Sequence, residues 1–297
     1  MHFLCLHGMG TSAAIFQSQT SAFRALLDGS QHTFEFVDAP YESAPAHGIQ
    51  TFFPPPNYTF WQSIDPGDIA ATHKWLLAHC ARQSKPYDAV LCFSQGCAVA
   101  ASMVLAHNNE SSDEPLPFKG AIFICGGMPL AMLDNMNLPV SAKAWEISDL
   151  TGHQLATKAN AAAAEIERLL KSGKAREASK RGLWDRTEDL AHKVLEPGTY
   201  DCHKLPDLPL TDVYGYDTTL FPSALRLDLP TVHIYGIKDP RYPASIQLAY
   251  LSNPEKRLVY DHGGGHEIPR TSKVSAEIAS AVQWLEGQIN CLQRMSD

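Results

Sequence analysis

Short apolar runs alternate along the chain with longer segments of mixed polarity. Helices are predicted over three of the longer segments, 13–27, 66–82 and 273–289, and from Gly96 onward. Strands that alternate with helices predict a doubly wound α/β sheet of about six strands, mostly parallel. The six apolar runs typical of its buried strands are 3–6, 32–37, 89–92, 118–125, 231–236 and 257–260.

Ser94 lies at the sharp corner between the apolar run that ends at Cys92 and the helix that begins at Gly96. A tight strand-to-helix turn of this kind, a nucleophile elbow, pushes a serine hydroxyl out of the top of a sheet. A serine hydroxyl is a weak nucleophile until a base removes its proton. The residues around Ser94 therefore predict a nucleophile that needs a base from elsewhere in the chain.

Candidate partners for this serine follow it in a recognisable order. Asp239 comes directly after the strand at 231–236, and His266 follows the strand at 257–260. The chain order serine, aspartate, histidine, with each residue just past a strand, is that of the α/β-hydrolase fold. We therefore predict a catalytic triad of Ser94, Asp239 and His266, in which the imidazole is the base and the carboxylate orients it.

Two members of this triad have rivals nearby in the sequence. Asp239 could instead cap a helix that starts near Pro240, in which case Asp261 is the substitute acid. His262 competes with His266, because the three glycines between them form a backbone that can bring either imidazole toward the serine. At this point both alternatives are open.

The first apolar run ends in the turn His7-Gly8-Met9-Gly10. Hydrolysis of an ester or thioester passes through a tetrahedral oxyanion, which needs backbone N–H donors aimed at the developing charge. We predict that these donors are the amides of Met9 and of Gln95, the residue after the nucleophile. His7 is interpreted as a structural histidine that braces the turn.

These motifs together resemble the FSH-type serine hydrolases, α/β-hydrolases best known from fungi and related to small carboxylesterases and acyl-protein thioesterases. The resemblance covers nearly the whole chain except about 128–223, and its Gly-His-x-x-Pro pattern favours His266 over His262. It implies carboxylester or thioester hydrolysis and, in fungal biosynthetic clusters, release of polyketide chains from the carrier domain of a synthase. The motifs are Leu4-Cys5-Leu6-His7-Gly8, Phe93-Ser94-Gln95-Gly96, Gly236-Ile237-Lys238-Asp239 and Gly264-Gly265-His266-Glu267-Ile268-Pro269.

One residue departs from the family pattern. The family usually has glycine two residues before the nucleophile, where this chain has Cys92. Because cysteine is small and apolar, we interpret Cys92 as a packing variant and not as a redox residue.

The segment 128–223 interrupts the alternation of strands and helices and is too long for a simple connection. A stretch rich in Ala, Glu, Lys and Leu predicts a helix over 158–180. An insertion at this point of a hydrolase fold lies above the strand ends, so we predict a lid within a single domain that spans 1–297. The charged face of its helix is interpreted as solvated. The alternative is a docking surface for an acidic carrier domain, with basic contacts from Lys171, Lys174, Arg176, Lys180 and Arg181.

The loop at 40–65 contains a cluster of aromatic residues. Tyr58, Phe60 and Trp61 are expected either to line an acyl pocket or to pack beneath the loop. Together with a long lid, this loop favours a sizeable apolar acyl group over acetate.

Composition excludes several classes of function. The chain has 297 residues, a net charge of −8 and 44% apolar residues, which fits a globular enzyme and disfavours nucleic-acid binding. No apolar run reaches the ~18 residues of a membrane span. The seven cysteines are spread singly, without a C-x-x-C pair. Neither a metal site nor a redox motif is therefore predicted, and a reducing, cytoplasmic compartment is favoured.

The sequence thus predicts a serine hydrolase that cleaves a carboxylic ester or thioester through an acyl-enzyme and needs no cofactor. The resemblance implies a more specific role, chain release in polyketide biosynthesis. Two alternatives are open: acyl transfer or cyclisation without hydrolysis on the same fold, and a general housekeeping carboxylesterase.

Overall fold

The structure is a computed structural model that describes residues 1–29, 31–46, 48–110, 115–174 and 200–296. Its centre is a six-stranded sheet in which all neighbouring strands are parallel. This architecture confirms the predicted α/β-hydrolase fold. In spatial order the strands are β2 (Thr33–Val37), β1 (His2–Leu6), β5 (Ala89–Phe93), β6 (Ala121–Ile124), β7 (Thr231–Tyr235) and β8 (Arg257–Asp261).

A separate antiparallel pair lies within the predicted loop at 40–65. It consists of β3 (Tyr41–Glu42) and β4 (Tyr58–Thr59). The Gly10 amide donates to the Tyr58 carbonyl at 2.9 Å, which joins this pair to the turn after β1.

Helices flank the sheet. The first predicted helix is divided at Thr20, whose hydroxyl donates to the Phe16 carbonyl at 2.9 Å and competes with the backbone donors. Within the described ranges, no helix is both long and apolar enough to cross a bilayer. The helices are α1 (Ala13–Gln19), α2 (Ser21–Arg24), α3 (Pro66–Ala81), α4 (Gln95–Glu110), α5 (Leu130–Asn135), α6 (Ala142–Lys171), α7 (Tyr242–Leu251) and α8 (Ser272–Ser296).

The helix of the insertion begins earlier than predicted. The sequence pattern placed its start at 158, but α6 begins at Ala142. The Ser141 side chain caps it by accepting a hydrogen bond from a first-turn amide at 3.1 Å. The predicted start is therefore wrong, because the cap, and not the composition, sets the boundary.

The same helix ends at Lys171. Gly173 adopts a left-handed conformation with a φ of 75°, which terminates a helix. The prediction that the helix continues through 172–174 is wrong, and its remaining part, 175–180, lies outside the described residues.

Residues of the central strand β5 alternate between two apolar layers. Val90 and Cys92 belong to the core cluster that includes residues of α3 and α4, whereas Leu91 and Phe93 belong to the cluster that includes residues of α1 and α8. All four side chains are buried. Because both faces of the sheet are covered, this strand is a continuous apolar run instead of an alternating one.

Parallel strands place their carboxyl ends at one edge of the sheet. Ser94 directly follows β5, Cys125 directly follows β6, and Asp239 and His266 lie in the segments after β7 and β8. In open α/β sheets, ligands bind in the crevice at this edge. The topology therefore brings the three predicted triad residues to one side of the molecule.

Two histidines, the buried His233 and the half-buried His73, form hydrogen bonds between elements of the core. His73 of α3 lies 2.7 Å from the Ser102 hydroxyl of α4, and His233 of β7 lies 2.9 Å from the Ser252 hydroxyl. Burial lowers the pKa of His73 to about 4, and it lowers the pKa of His233 well below its usual value. Both side chains are therefore uncharged in the folded protein at neutral pH.

We expect the free energy of unfolding to decrease as the pH falls from about 6.5 to about 4. In this range the unfolded chain takes up protons on these histidines that the folded protein does not, and this stabilises the unfolded state. His73 contributes a loss of up to about 2 kcal/mol between about pH 7 and about pH 5, and His233 acts in the same direction.

Urea denaturation at these two pH values measures the effect. The His73→Gln variant should lose up to about 2 kcal/mol less stability on acidification than the wild type. His153→Gln, at an exposed position of α6, is the matched control and should keep the wild-type dependence. Identical pH dependence in all three proteins would show that the folded protein does not hold His73 as a neutral group.

Candidate active site

Ser94 occupies a strained turn between β5 and α4. Its φ is 51°, a left-handed conformation that is uncommon for a residue other than glycine. The Ser94 amide donates to the Ile124 carbonyl at 3.0 Å, which ties the turn to β6. Gly96 allows α4 to start close to β1, because a Cβ there would overlap the Leu6 carbonyl oxygen. This local geometry is that of a nucleophile elbow.

The structure brings the three predicted triad residues into one chain of hydrogen bonds. His266 Nε2 lies 2.9 Å from Ser94 Oγ, and His266 Nδ1 lies 2.8 Å from Asp239 Oδ2. A carboxylate only accepts hydrogen bonds, so Nδ1 bears the imidazole proton and Nε2 is left as an acceptor for the serine hydroxyl. This is the tautomer that a general base requires.

The carboxylate of Asp239 is held on both sides. Its Oδ1 accepts a hydrogen bond from the Arg241 amide at 2.7 Å while Oδ2 faces His266. Asp239 is 1% exposed, so its interaction with the imidazole is shielded from water. A helix-capping role for Asp239 would account for the hydrogen bond to Oδ1, but not for the contact between Oδ2 and His266.

Asp261, the alternative acid, is bonded elsewhere. Its Oδ1 accepts from the Ile237 amide at 3.0 Å and the Gly263 amide at 2.6 Å, and its Oδ2 accepts from the Tyr200 hydroxyl. These bonds hold together the loops that follow β7 and β8. The structure therefore places Asp261 as a brace for the loop that bears His266.

His262, the alternative base, also has a different environment. Its Nδ1 accepts a hydrogen bond from the Gly264 amide at 3.1 Å, and its Nε2 faces the Cys125 sulfur at 3.8 Å. Burial lowers the pKa of His262 to about 4, against the opposing effect of the Asp239 charge. Ser94 Oγ is bonded to His266 instead.

The turn after β1 lies beside the nucleophile. A Cβ on Gly8 would lie 3.3 Å from the Cβ of Ser94. Within the described part of the chain, the amides of Met9 and Gln95 donate to no protein acceptor. They are therefore available to a ligand, as an oxyanion hole requires.

His7 is fully buried and braces this turn. Its Nε2 accepts from the Ala39 amide at 3.1 Å, so Nδ1 bears the proton and donates to the Gly8 carbonyl at 2.7 Å. Burial lowers the pKa of His7. Both ring nitrogens of His7 are therefore hydrogen-bonded within the protein.

The aromatic cluster is mostly part of the core. Phe60 has no exposed surface and Trp61 is 8% exposed, whereas Tyr58 is half-buried. The ring of Phe60 lies 5.1 Å from that of His7. Because a fully enclosed ring offers no surface to a ligand, Phe60 supports the turn by packing, and the pocket interpretation does not fit it.

The side chain of Gln95 joins the aromatic segment to the elbow. Its Oε1 accepts hydrogen bonds from the Thr59 hydroxyl and the Phe60 amide, each at 3.1 Å. This link fixes the residue whose backbone amide is the candidate oxyanion donor. Sequence reasoning assigned Gln95 through its backbone alone and had no signal for this role of its side chain.

Cys92, the departure from the family pattern, is a fully buried residue of β5. Its neighbours in the adjacent strands are Leu6 of β1 and Phe123 of β6. Burial among apolar groups raises the pKa of its thiol, which opposes formation of a reactive thiolate. This environment supports the packing interpretation.

Replacing Cys92 with glycine is expected to leave kcat nearly unchanged. The substitution removes buried apolar surface and adds a flexible residue to a strand, so the free energy of unfolding should fall by about 1–2 kcal/mol. Ester hydrolysis and urea denaturation of the variant measure the two quantities. A large loss of kcat in a folded variant would assign the sulfur a role in the reaction.

Two further residues near the site have no motif in the sequence. Cys125 lies beside Asp239 and His266, with one donor atom of each within 4.8 Å of the others. Arg241 joins the loop of Asp239 to the insertion, because its Nη1 donates to the Ser148 carbonyl at 2.6 Å. The one sequence signal for these two residues is their place in the segments that follow β6 and β7.

The basic residues proposed as docking contacts are only partly within the described residues. Lys171 is exposed and lies 3.9 Å from Glu167, one helical turn earlier. Lys174 is also exposed. The other members of the predicted surface, Arg176, Lys180 and Arg181, lie outside the described residues.

Comparisons with solved structures give low similarity. Acyl-protein thioesterase 2 of Zea mays is 12% identical with a TM-score of 0.48, over 97% of this chain and 93% of the other. SOBER1 of Arabidopsis thaliana is 14% identical with a TM-score of 0.43, over 96% and 98% of the two chains.

Comparisons of sequence are more informative. Esterase alnB of Emericella nidulans is 28% identical over 290 residues, 95% of each chain. Esterase FPY3 of Fusarium mangiferae is 39% identical over 131 residues, which span 43% of this chain and 58% of that esterase. The match to FPY3 thus spans little more than half of that protein's length. The sequence profile of the family described as "Serine hydrolase (FSH1)" matches residues 1–278, and the chain therefore belongs to the FSH1 serine hydrolase family.

Proposed function

We propose that this protein hydrolyses a carboxylic ester or thioester through an acyl-enzyme formed on Ser94. The observation that supports this proposal most directly is the pair of distances at His266, 2.9 Å to Ser94 Oγ and 2.8 Å to Asp239 Oδ2. Membership of the FSH1 family and the esterase relatives agree with it.

Acylation starts at the serine hydroxyl. His266 Nε2 takes the proton of Ser94 Oγ as the oxygen attacks the acyl carbon, and the carboxylate of Asp239 stabilises the resulting imidazolium. The amides of Met9 and Gln95 bind the oxyanion of the tetrahedral intermediate. The imidazolium then returns the proton to the departing alcohol or thiol, which leaves an acyl group on Ser94.

Deacylation repeats these steps with water as the nucleophile. His266 Nε2 takes a proton from the water, the hydroxide attacks the acyl carbon, and the proton is returned to Ser94 Oγ as the acid departs. An acyl-enzyme predicts a burst of the first product when deacylation is the slower step. No step in this sequence requires a metal or an organic cofactor.

The decisive experiment is covalent labelling with a fluorophosphonate probe, followed by peptide mapping. The probe should modify Ser94 and abolish hydrolysis of p-nitrophenyl butyrate. Modification of another serine, or full hydrolysis by protein labelled at Ser94, would refute the assignment. Acyl transfer or cyclisation on the same serine would also allow labelling, and is separated from hydrolysis by identification of the product.

For the substrate, we infer a chain-releasing thioesterase or esterase of polyketide biosynthesis. The support is the family resemblance, since the relatives themselves are named only as esterases or hydrolases. A panel of acyl thioesters and p-nitrophenyl esters of increasing length tests it. Preference for long thioesters supports chain release, whereas preference for short esters supports a general carboxylesterase.

We infer that the 128–223 insertion acts as a lid, with Arg241 as its attachment to the acid loop. Arg241 Nη1 donates to the Ser148 carbonyl at 2.6 Å and the Thr151 hydroxyl at 3.0 Å, both in α6. Arg241→Ala should therefore raise KM for long acyl substrates more than for short ones. An equal change in KM for long and short substrates would show that Arg241 only stabilises the fold.

A carrier domain is the proposed partner, with the exposed lysines of the insertion as its contacts. Reversing the charge of Lys171 and Lys174 to glutamate should then weaken turnover of a carrier-bound substrate and spare small esters. Equal effects on both substrates would exclude the docking role.

We infer that the protein works in a reducing, cytoplasmic compartment, since all seven cysteines lie in the described residues and none is disulfide-bonded.

A further inference from the structure

A buried thiol lies against the acid and the base of the proposed triad. Cys125 directly follows β6 and is 2% exposed. One donor atom each of Cys125, Asp239 and His266 lies within 4.8 Å of the other two. The proposed mechanism does not use this thiol, although a small shift would let all three groups bind one ion.

The spacing of these three donor atoms can be compared with that of a zinc site. The ligand atoms of a tetrahedral zinc ion lie about 2.0–2.3 Å from the metal and therefore roughly 3.3–3.7 Å from one another. The 2.8 Å contact between Asp239 and His266 has to open by roughly half an ångström, and Cys125, within 4.8 Å of both, has to approach them by roughly 1 Å at most.

The chemistry of the donors selects the ion. A thiolate, a carboxylate and an imidazole form a mixed sulfur, oxygen and nitrogen set, which suits Zn²⁺. Mg²⁺ and Ca²⁺ prefer oxygen ligands and are disfavoured by the thiolate. The three residues follow β6, β7 and β8, so their spacing along the chain shows no zinc motif, and only the parallel sheet assembles them.

We propose that Cys125, Asp239 and His266 form an inhibitory zinc site with three protein ligands and a fourth position taken by water. Binding releases the thiol proton of Cys125 to solvent and moves the ring proton of His266 from Nδ1 to Nε2, so the imidazole binds as a neutral ligand and no electron is transferred. The site rests on the proposed function, because inhibition results from capture of the acid–base pair.

Inhibition follows from the charge and position of the ion. With Zn²⁺ on Nδ1, the carboxylate of Asp239 no longer faces the imidazole. Because a neutral imidazole that binds Zn²⁺ through Nδ1 bears its proton on Nε2, that nitrogen has no lone pair left for the serine proton. His266 then cannot take the proton of Ser94, and hydrolysis stops while the metal is bound. The ion has an approach from solvent past His262, which is partly exposed.

The test is a titration of chelator-treated enzyme with Zn²⁺, with p-nitrophenyl butyrate as substrate. Wild-type enzyme should be inhibited completely and recover when chelator is added. Cys125→Ala should raise the half-inhibiting Zn²⁺ concentration by at least about tenfold, since even residues that only orient metal ligands have effects of this size. Each protein is compared with its own metal-free activity.

Two further variants make the result specific. Cys125→Ser keeps the size of the side chain and replaces the thiolate by a poor zinc ligand, so it serves if the alanine variant does not fold. Cys92→Ala removes a buried thiol of β5 outside the cluster and should retain wild-type sensitivity. Equal sensitivity of wild type and both Cys125 variants, or no inhibition of active enzyme, would overturn the proposal.

A spectroscopic measurement separates this site from the proposed function. Co²⁺ substituted for Zn²⁺ should give a near-ultraviolet thiolate-to-cobalt absorption in wild type and Cys92→Ala that is missing in Cys125→Ser. If Ser94 is not labelled by a fluorophosphonate, the proposed function fails, but this absorption difference still shows whether the site exists. If Ser94 is labelled and the absorption difference is absent, only the zinc site fails.

Discussion

Ser94→Ala is expected to lower kcat for ester hydrolysis by about 10⁴- to 10⁶-fold while the protein keeps its fold. The hydroxyl is the proposed nucleophile, and the members of a triad act as a unit, so the loss of one removes most of what all three contribute. The variant keeps a Cβ at a left-handed position, with the φ of 51° that the wild-type serine already adopts. Its melting temperature should therefore remain near that of the wild type.

The measurement is steady-state hydrolysis of p-nitrophenyl butyrate, with circular dichroism to verify the fold. The neighbouring Ser102, a buried serine of α4 that also lies next to a histidine, offers a matched comparison. Ser102→Ala should affect stability and leave kcat close to that of the wild type. A Ser94→Ala protein that is folded and still hydrolyses the ester at the wild-type rate would exclude the acyl-enzyme mechanism.

The sheet and the elbow were predictable because their signals are local. A strand buried on both faces is a continuous apolar run, and β5 ends directly before Ser94. The order of Ser94, Asp239 and His266 along the chain then limits the fold to a small number of topologies. The hydrogen bond between residues 94 and 266 joins positions 172 residues apart, and the right-handed parallel arrangement brings them together.

The parts that the sequence did not predict depend on contacts between distant segments. Phe60 has the same local pattern whether it lines a pocket or supports the His7 turn, and only the packing distinguishes these roles. Cys125 ends an apolar run and has no motif. Its place beside Asp239 results from the strand order, in which β6 lies between β5 and β7.

The bounds of the insertion helix were missed for a different reason. Composition favours a helix where Ala, Glu, Lys and Leu are frequent, but a helix starts where its first amides find acceptors. Ser141 supplies such an acceptor, and its own hydroxyl donates to the Gly215 carbonyl from another part of the insertion. The start of α6 is therefore set by a tertiary contact that helix propensity does not include.

Asp239→Asn is expected to lower kcat by about 10⁴-fold, and Asp261→Asn by less than about tenfold. In the first variant an amide N–H can face His266 Nδ1, which then becomes an acceptor and moves the ring proton to Nε2. A protonated Nε2 cannot accept the proton of Ser94, so the base is lost although the geometry is kept.

Asp261→Asn acts on stability instead. The carboxylate accepts hydrogen bonds from the amides of Ile237 and Gly263 and from the hydroxyl of Tyr200. The amide has one oxygen in place of two, so at least one of these bonds is lost, at a cost of about 1–3 kcal/mol in the free energy of unfolding. Denaturation curves and kcat of the two variants therefore separate the acid of the triad from the brace of the loop. Loss of catalysis in folded Asp261→Asn, with near wild-type kcat in Asp239→Asn, would reverse the two roles.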